Sequence, residues 1–173
     1  MEKYPDFRGL AFDLLDLFKI HINWTMQVLD FPQYSFRIKN SEKGYQIFDV
    51  IRKKFVMVQP EEWVRQHVIH YLTETKKYPK SLVNVEKQLV VNQMKKRYDV
   101  VVYNSKGTIT LLVECKAPEV KISQSTFDQI ARYNLLLNAE YLMVTNGLNH
   151  YYCKMDQERE KYQFLKEIPD FSR

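Results

Sequence analysis

The stretch Tyr98-Asp99-Val100-Val101-Val102-Tyr103, followed after a turn by Ile109-Thr110-Leu111-Leu112-Val113-Glu114-Cys115-Lys116, decides how the rest of the chain is read. The two apolar runs flank Asn104-Ser105-Lys106-Gly107, a segment of turn-forming residues, so the pattern predicts a β-hairpin. An acid interrupts the first run, and an acid-x-lysine ends the second. Apolar strands carry such charges only when the charges have partners. Alternation puts Glu114 and Lys116 on one face and turns Cys115 away, as a buried structural thiol. With Tyr103 opposite Thr108, Asp99 lies opposite Leu112 and diagonal to Glu114, roughly 7–8 Å away between backbones. Carboxylates at that spacing converge on one cation. A loop one residue longer or shorter would turn Asp99 to the other face.

Working outward, Tyr34–Ile38, Tyr45–Ile51 and Phe55–Val58 read as strands, with a turn at Ser41-Glu42-Lys43-Gly44. Pro60-Glu61-Glu62 opens a helix running to Leu72, with proline at its first position and acids in its first turn. Leu82–Val91 is a further apolar run before the hairpin, and Pro118 ends the hairpin's second strand. Ser123–Asn138 reads as a helix, with Thr126-x-x-Gln129 as a capping box and Phe127, Ile130, Tyr133 and Leu137 as its apolar stripe. Tyr141–Thr145 is a buried strand closed by Asn146-Gly147, and His150–Lys154 and Tyr162–Leu165 are short edge strands. The order predicts an α/β fold of mixed topology. Residues 9–20 have the spacing of a short amphipathic helix.

At 173 residues the chain suits one domain with a real core. Its net charge of +5 allows a phosphate-rich partner without demanding one. Basic residues cluster at Arg52-Lys53-Lys54, at Lys76-Lys77 with Lys80, and at Lys95-Lys96-Arg97. Each fits a solvated loop, but the last runs directly into Asp99. The two cysteines, Cys115 and Cys153, have no disulfide or zinc spacing. No apolar run is long enough to span a membrane, and Leu10–Ile20, broken by Asp13 and Asp16, is not a secretory signal. The expected location is cytoplasmic.

Hydrolysis of a phosphodiester needs a nucleophilic water, neutralisation of the phosphorane oxygens and help for the leaving oxygen. A carboxylate-held Mg²⁺ serves these needs, and a neighbouring lysine orients the water, or deprotonates it if its own pKa is depressed. Asp99, Glu114 and Lys116 are the required groups, though the same three residues also suit a plain buried salt bridge. Glu62 (or Glu61) at the start of the 60–72 helix is a candidate further ligand, or simply compensates the helix dipole. Gln129 and Tyr133, four apart on one helix face, can reach a substrate backbone or position the lysine, or serve as cap partner and core. Thr145-Asn146-Gly147 alone reads as a turn.

In this order, Pro60-Glu61-Glu62-Trp63-Val64-Arg65-Gln66, Tyr98–Tyr103, Val113-Glu114-Cys115-Lys116-Ala117-Pro118, Gln129-x-x-x-Tyr133 and Val144-Thr145-Asn146-Gly147 resemble the N-terminal nuclease domain of type I restriction enzyme R subunits. More closely, they resemble small stand-alone members of that family, within the PD-(D/E)XK nuclease superfamily. The resemblance covers roughly residues 30–170. It implies a restriction-endonuclease-like mixed central sheet flanked by helices, and Mg²⁺- or Mn²⁺-dependent cleavage of DNA. By position, Asp99 matches the central acid, and Glu114 with Lys116 the E-x-K. Gln129 and Tyr133 match the Q-x-x-x-Y element, and Glu62 is the best match to the upstream acid. Tyr98 stands where a proline is usual. Asp99, Glu114 and Glu62 are thus the expected metal ligands, and Lys95, Lys96 and Arg97 the expected nucleic-acid contacts.

The chain's four glycines, Gly9, Gly44, Gly107 and Gly147, include no phosphate-binding GxxxxGK[ST] loop, so it is not expected to translocate DNA by itself. Cutting both strands of a duplex calls for two sites, from a homodimer or a restriction-system subunit. The expected organisation is an N-terminal extension over residues 1–28, of which residues 1–25 come from an alternative start ahead of Met26, where members of the resembled family tend to begin, and a nuclease-like domain over 29–173. The alternative function is a non-catalytic module that binds nucleic acid or a partner on the same fold.

Overall fold

The computed structural model describes residues 26–91, 94–135, 137–156, 158 and 161–172, without the side chains of 91, 94, 96, 133 and 135. The expected helix over 9–20 lies outside them.

Strands β4 (Val83–Val91), β5 (Met94–Tyr103), β6 (Ile109–Cys115), β7 (Tyr141–Thr145), β8 (His150–Asp156) and β9 (Lys161–Leu165) form a six-stranded sheet in sequence order. All neighbours are antiparallel except β6 and β7. That parallel pair needs a crossover, supplied by helix α2 (Gln124–Leu135). Strands β1 (Ile38–Ser41), β2 (Gly44–Asp49) and β3 (Lys54–Met57) make a separate antiparallel sheet. This is the expected α/β architecture, a mixed central sheet flanked by helices.

Apolar runs without strict alternation mark strands covered on both faces. Leu111 and Val113 of β6, with Val100 and Val102 of β5, face Val64, Val68, Ile69 and Leu72 in one core. Leu112 and Val101 enter a second core with Phe127, Ile130 and Ala131 of α2. Helix α1 (Pro60–His70) is therefore wedged between the large sheet and the chain before it, and is buried from Glu62 to His70. Phe36 packs against Trp63, His67 and His70, and the Trp63 indole N–H donates to Gln27 O at 2.9 Å. α1 passes into a π-helical turn over Tyr71–Thr75 instead of ending at Leu72. α2 is capped by Ser123, whose Oγ accepts from Thr126 N–H, so Thr126 lies inside the first turn and is not the cap.

The hairpin register differs from the simple reversal. Asn104 Oδ1 accepts the N–H groups of Lys106 and Thr108, and Gly107 has φ +79°, so Thr108 stays in the loop. Tyr103 pairs with Ile109, and a bulge between Val102 and Tyr103 moves the ladder to Val102 opposite Leu111 and Val100 opposite Val113. The longer loop and the bulge each shift the parity, and the two cancel. Asp99 thereby falls level with Glu114 rather than Leu112, where the β5–β6 ladder stops.

Two turn glycines separate backbone strain from crowding. Gly107 has open space around it, whereas a Cβ on Gly147 (φ +85°) would lie 2.8 Å from Leu29 Cδ2 and 3.1 Å from Val64 Cγ2. Gly107→Ala is expected to cost about 1 kcal/mol, from the left-handed backbone alone. Gly147→Ala is expected to cost about 2–4 kcal/mol, because Leu29 must also leave its seat. Denaturant unfolding of the two variants checks the difference.

Candidate active site

The site forms where β5 parts from β6. Beyond the Val100–Val113 pair the backbone N–H of Cys115 has no ladder partner on β5, and Asp99 Oδ2 accepts it at 2.7 Å. Asp99 Oδ1 accepts from Arg65 of α1, at 2.6 Å from Nη2 and 3.2 Å from Nε. Glu114 Oε1 holds the Lys116 ammonium at 2.9 Å. The Lys116 backbone is tied to β7 by its N–H to Thr145 O, at 2.8 Å. Asp99, Glu114 and Lys116 are therefore brought together as expected.

The first turn of α1 supplies two acids to different surroundings, because consecutive helical residues point about 100° apart. Glu62, expected as the upstream acid, is buried between two guanidinium groups. Its Oε2 pairs with Arg65 Nη1, and its Oε1 with Arg52 Nη2 and, at 2.8 Å, Gln66 Nε2. Glu61 is half-exposed and bonds Arg65 Nη2 at 3.0 Å. Burial first, then the charge of Asp99, pushes its carboxyl above the usual range, against Arg65 and Lys116, with Glu114 adding to the rise. Glu61 thus feels the charges of the Asp99–Glu114–Lys116 cluster.

Burial disfavours the Lys116 ammonium, but the Glu114 hydrogen bond and the charges of Glu114, Asp99 and Glu61 outweigh it and raise the pKa above the ordinary lysine value. Lys116 is a cation here and not a proton acceptor. Cys115 is fully buried, its thiol pushed far up by desolvation, which fits the expected inert role.

Pattern alone left four contributors without a role. Arg65 could have been read from its spacing of four from Glu61 and three from Glu62. Arg52 looked like part of a solvated basic run. Its side chain is 13% exposed and bridges Asp49 (2.7 Å), Glu62 and Glu86 (2.6 Å). Gln66 joins Asp49 to Glu62. Asn146, read as a turn residue, is 3% exposed: its side chain donates to Pro118 O and Val120 O and accepts from Leu148 and Asn149. It clamps the loop after Lys116 to the end of β7. Gln129 is exposed on α2 and, among the described residues, makes no hydrogen bond to the cluster. The Tyr133 side chain is outside the described set, as is that of Lys96, while Lys95 and Arg97 are exposed on β5.

Among the described residues, Glu114 Oε2 is buried with no hydrogen-bond partner. An orphaned carboxylate oxygen beside two further acids suits a hard divalent cation, which takes oxygen ligands. Among the described residues no three acids, histidines or cysteines are gathered as a finished metal cage. The Arg65 guanidinium, drawn onto Asp99, brings a positive charge next to these acids.

Removing one partner of a buried ion network leaves the others uncompensated. Arg52→Ala strands the fully buried Asp49 carboxylate and one side of Glu62, and is expected to destabilise the fold by about 3 kcal/mol in chemical unfolding. Lys53→Ala beside it should stay within about 0.5 kcal/mol.

No helix among the described residues is long and apolar enough to cross a membrane. No curated protein matches the chain. Residues 60–169 match the family described as type I restriction enzyme R protein N terminus (HSDR_N). That match runs from the first residue of α1 through β5, β6, α2 and β7 to Pro169, well over half of the chain, and the protein belongs to this family.

Proposed function

We propose that the chain is a Mg²⁺- or Mn²⁺-dependent endonuclease that hydrolyses phosphodiester bonds of DNA, a nuclease module of the restriction type. The observation that carries this reading is the unpartnered, buried Glu114 Oε2, set beside Lys116 and level with Asp99. Asp99, Glu114 and, in place of Glu62, Glu61 are the ligands. Bound there, a divalent cation supplies charge neutralisation at the phosphorane oxygens and acidifies the attacking water. Lys116, held protonated by Glu114, donates to that water or to a non-bridging phosphate oxygen. The proton of the attacking water would pass to solvent or to the Glu61 carboxylate oxygen left free of the cation. Gln129 and Tyr133 keep their proposed part as supports reaching the substrate backbone.

A second reading, a binding module without catalysis, is favoured by one observation: Asp99 is already satisfied by Arg65 and Cys115 N–H. Plasmid digestion with Mg²⁺ separates the two. Nicking or cutting by the wild type, reduced about 100-fold or more in Lys116→Ala and Asp99→Ala, is the expected result. DNA binding in Ca²⁺ with no cleavage in Mg²⁺ would leave the module reading.

One feature of the sheet supports a nucleic-acid surface beside the site. The β4–β5 ladder runs on from Val100 to the Val91–Met94 pair, while the β5–β6 ladder stops, so a two-stranded ribbon projects past Asp99. A ribbon of this kind fits a major groove. Lys95 and Arg97 alternate on β5 with Asp99, and Arg97 reaches Glu86 at 3.5 Å. The Lys95→Ala/Arg97→Ala variant is expected to weaken duplex binding and to flatten its log-salt slope by roughly 1 per residue. Its melting temperature should stay unchanged, as both residues are exposed. A fluorescence titration over a salt series measures both.

A further inference from the structure

We propose that Arg65 is a resident cation that stands in for the divalent metal, holding Asp99 and Glu61 together until the metal arrives and then withdrawing onto Glu62. This rests on the nuclease reading above and concerns how its site is loaded.

Arg65 is only 6% exposed and bonds three carboxylates at once: Asp99, Glu61 and Glu62. The contacts divide by direction. Nε and Nη2 serve Asp99 and Glu61, two acids assigned to the metal, whereas Nη1 serves Glu62. Glu62 is anchored independently of Arg65, through Arg52 and Gln66, and through them to Asp49. It therefore remains a fixed anion whether or not Asp99 is engaged elsewhere. A guanidinium that lets go of Asp99 keeps a buried partner, which removes most of the penalty for releasing it. This division also accounts for two acids in successive positions, Glu61 for the metal and Glu62 for the arginine.

Asp99 Oδ1 cannot serve a guanidinium and a metal equally well. With Arg65 close to the cation site, like charges oppose loading, so metal affinity is lower than the three carboxylates alone would give. Substrate phosphate, arriving with negative charge, relieves that opposition, so the site loads most tightly when DNA is present.

The test is calorimetric titration of the full chain with Mn²⁺, wild type against Arg65→Gln, alongside thermal unfolding in EDTA and in Mn²⁺. Arg65→Gln should melt lower in EDTA, bind Mn²⁺ roughly tenfold or more tightly, and gain more in melting temperature from the metal. Equal or weaker binding by Arg65→Gln would overturn the inference while leaving the nuclease reading intact. No binding by either protein would overturn both. Should Arg65→Gln fail to fold, the wild type alone decides through the Nε–Hε resonance of Arg65. Displacement of that signal on saturation with Mg²⁺ supports the exchange, and an unmoved signal in metal-loaded protein refutes it.

Discussion

Five carboxylates, of Asp49, Glu61, Glu62, Glu86 and Asp99, are held together by two guanidinium groups. Acids crowded together with little water around them repel one another and lose their charge. Arg52 and Arg65 resolve that conflict by alternating with the acids, and Glu62 is the shared rung between them. The arrangement fixes α1 against β5 on one side and the β2–β3 turn on the other. The orientation of the helix, and with it the direction in which Glu61 points, follows from this pairing as much as from the apolar seam of Val64 and Val68.

The sheet contributes the other half of the geometry. A continuous ladder between β5 and β6 would satisfy the Cys115 N–H and leave Asp99 to one face or the other. Because the ladder stops, the Asp99 carboxylate turns into the gap and takes over the backbone bond. Glu86, across from Asp99 on β4, has φ +52°, so both strands depart from regularity at the same level. On the far side, the β7 carbonyl of Thr145 holds the backbone of Lys116 and Asn146 holds the loop that follows it.

The hairpin charges and the order of elements were legible in the sequence because each depends on local pattern: turn residues, apolar runs, a proline at a helix start. Asp99, Glu114 and Lys116 could be found that way. The register could not, since a side-chain turn at Asn104 and a bulge at Val102/Tyr103 are decided by tertiary packing, and only their cancelling parity kept the expected convergence. Glu61 and Glu62 are adjacent letters whose difference is a rotation about a helix axis, visible only once the neighbours of α1 are placed. Arg52 is the clearest case of hidden context. Beside two lysines it has the look of a solvated turn, and only its spacing of three from Asp49 hinted at a buried role.

The boundary of the family match has a bearing on how this fold is divided. It begins at Pro60, so Glu61, Glu62, Glu86, Asp99, Glu114 and Lys116 lie inside it, while Asp49 and Arg52 lie outside. The small sheet of β1 to β3 is thus more than a cover for α1. It reaches in from beyond the shared unit to neutralise Glu62, so a fragment trimmed to residue 60 would keep each signature residue of the cleft and lose the charge that holds the first of its helices in place.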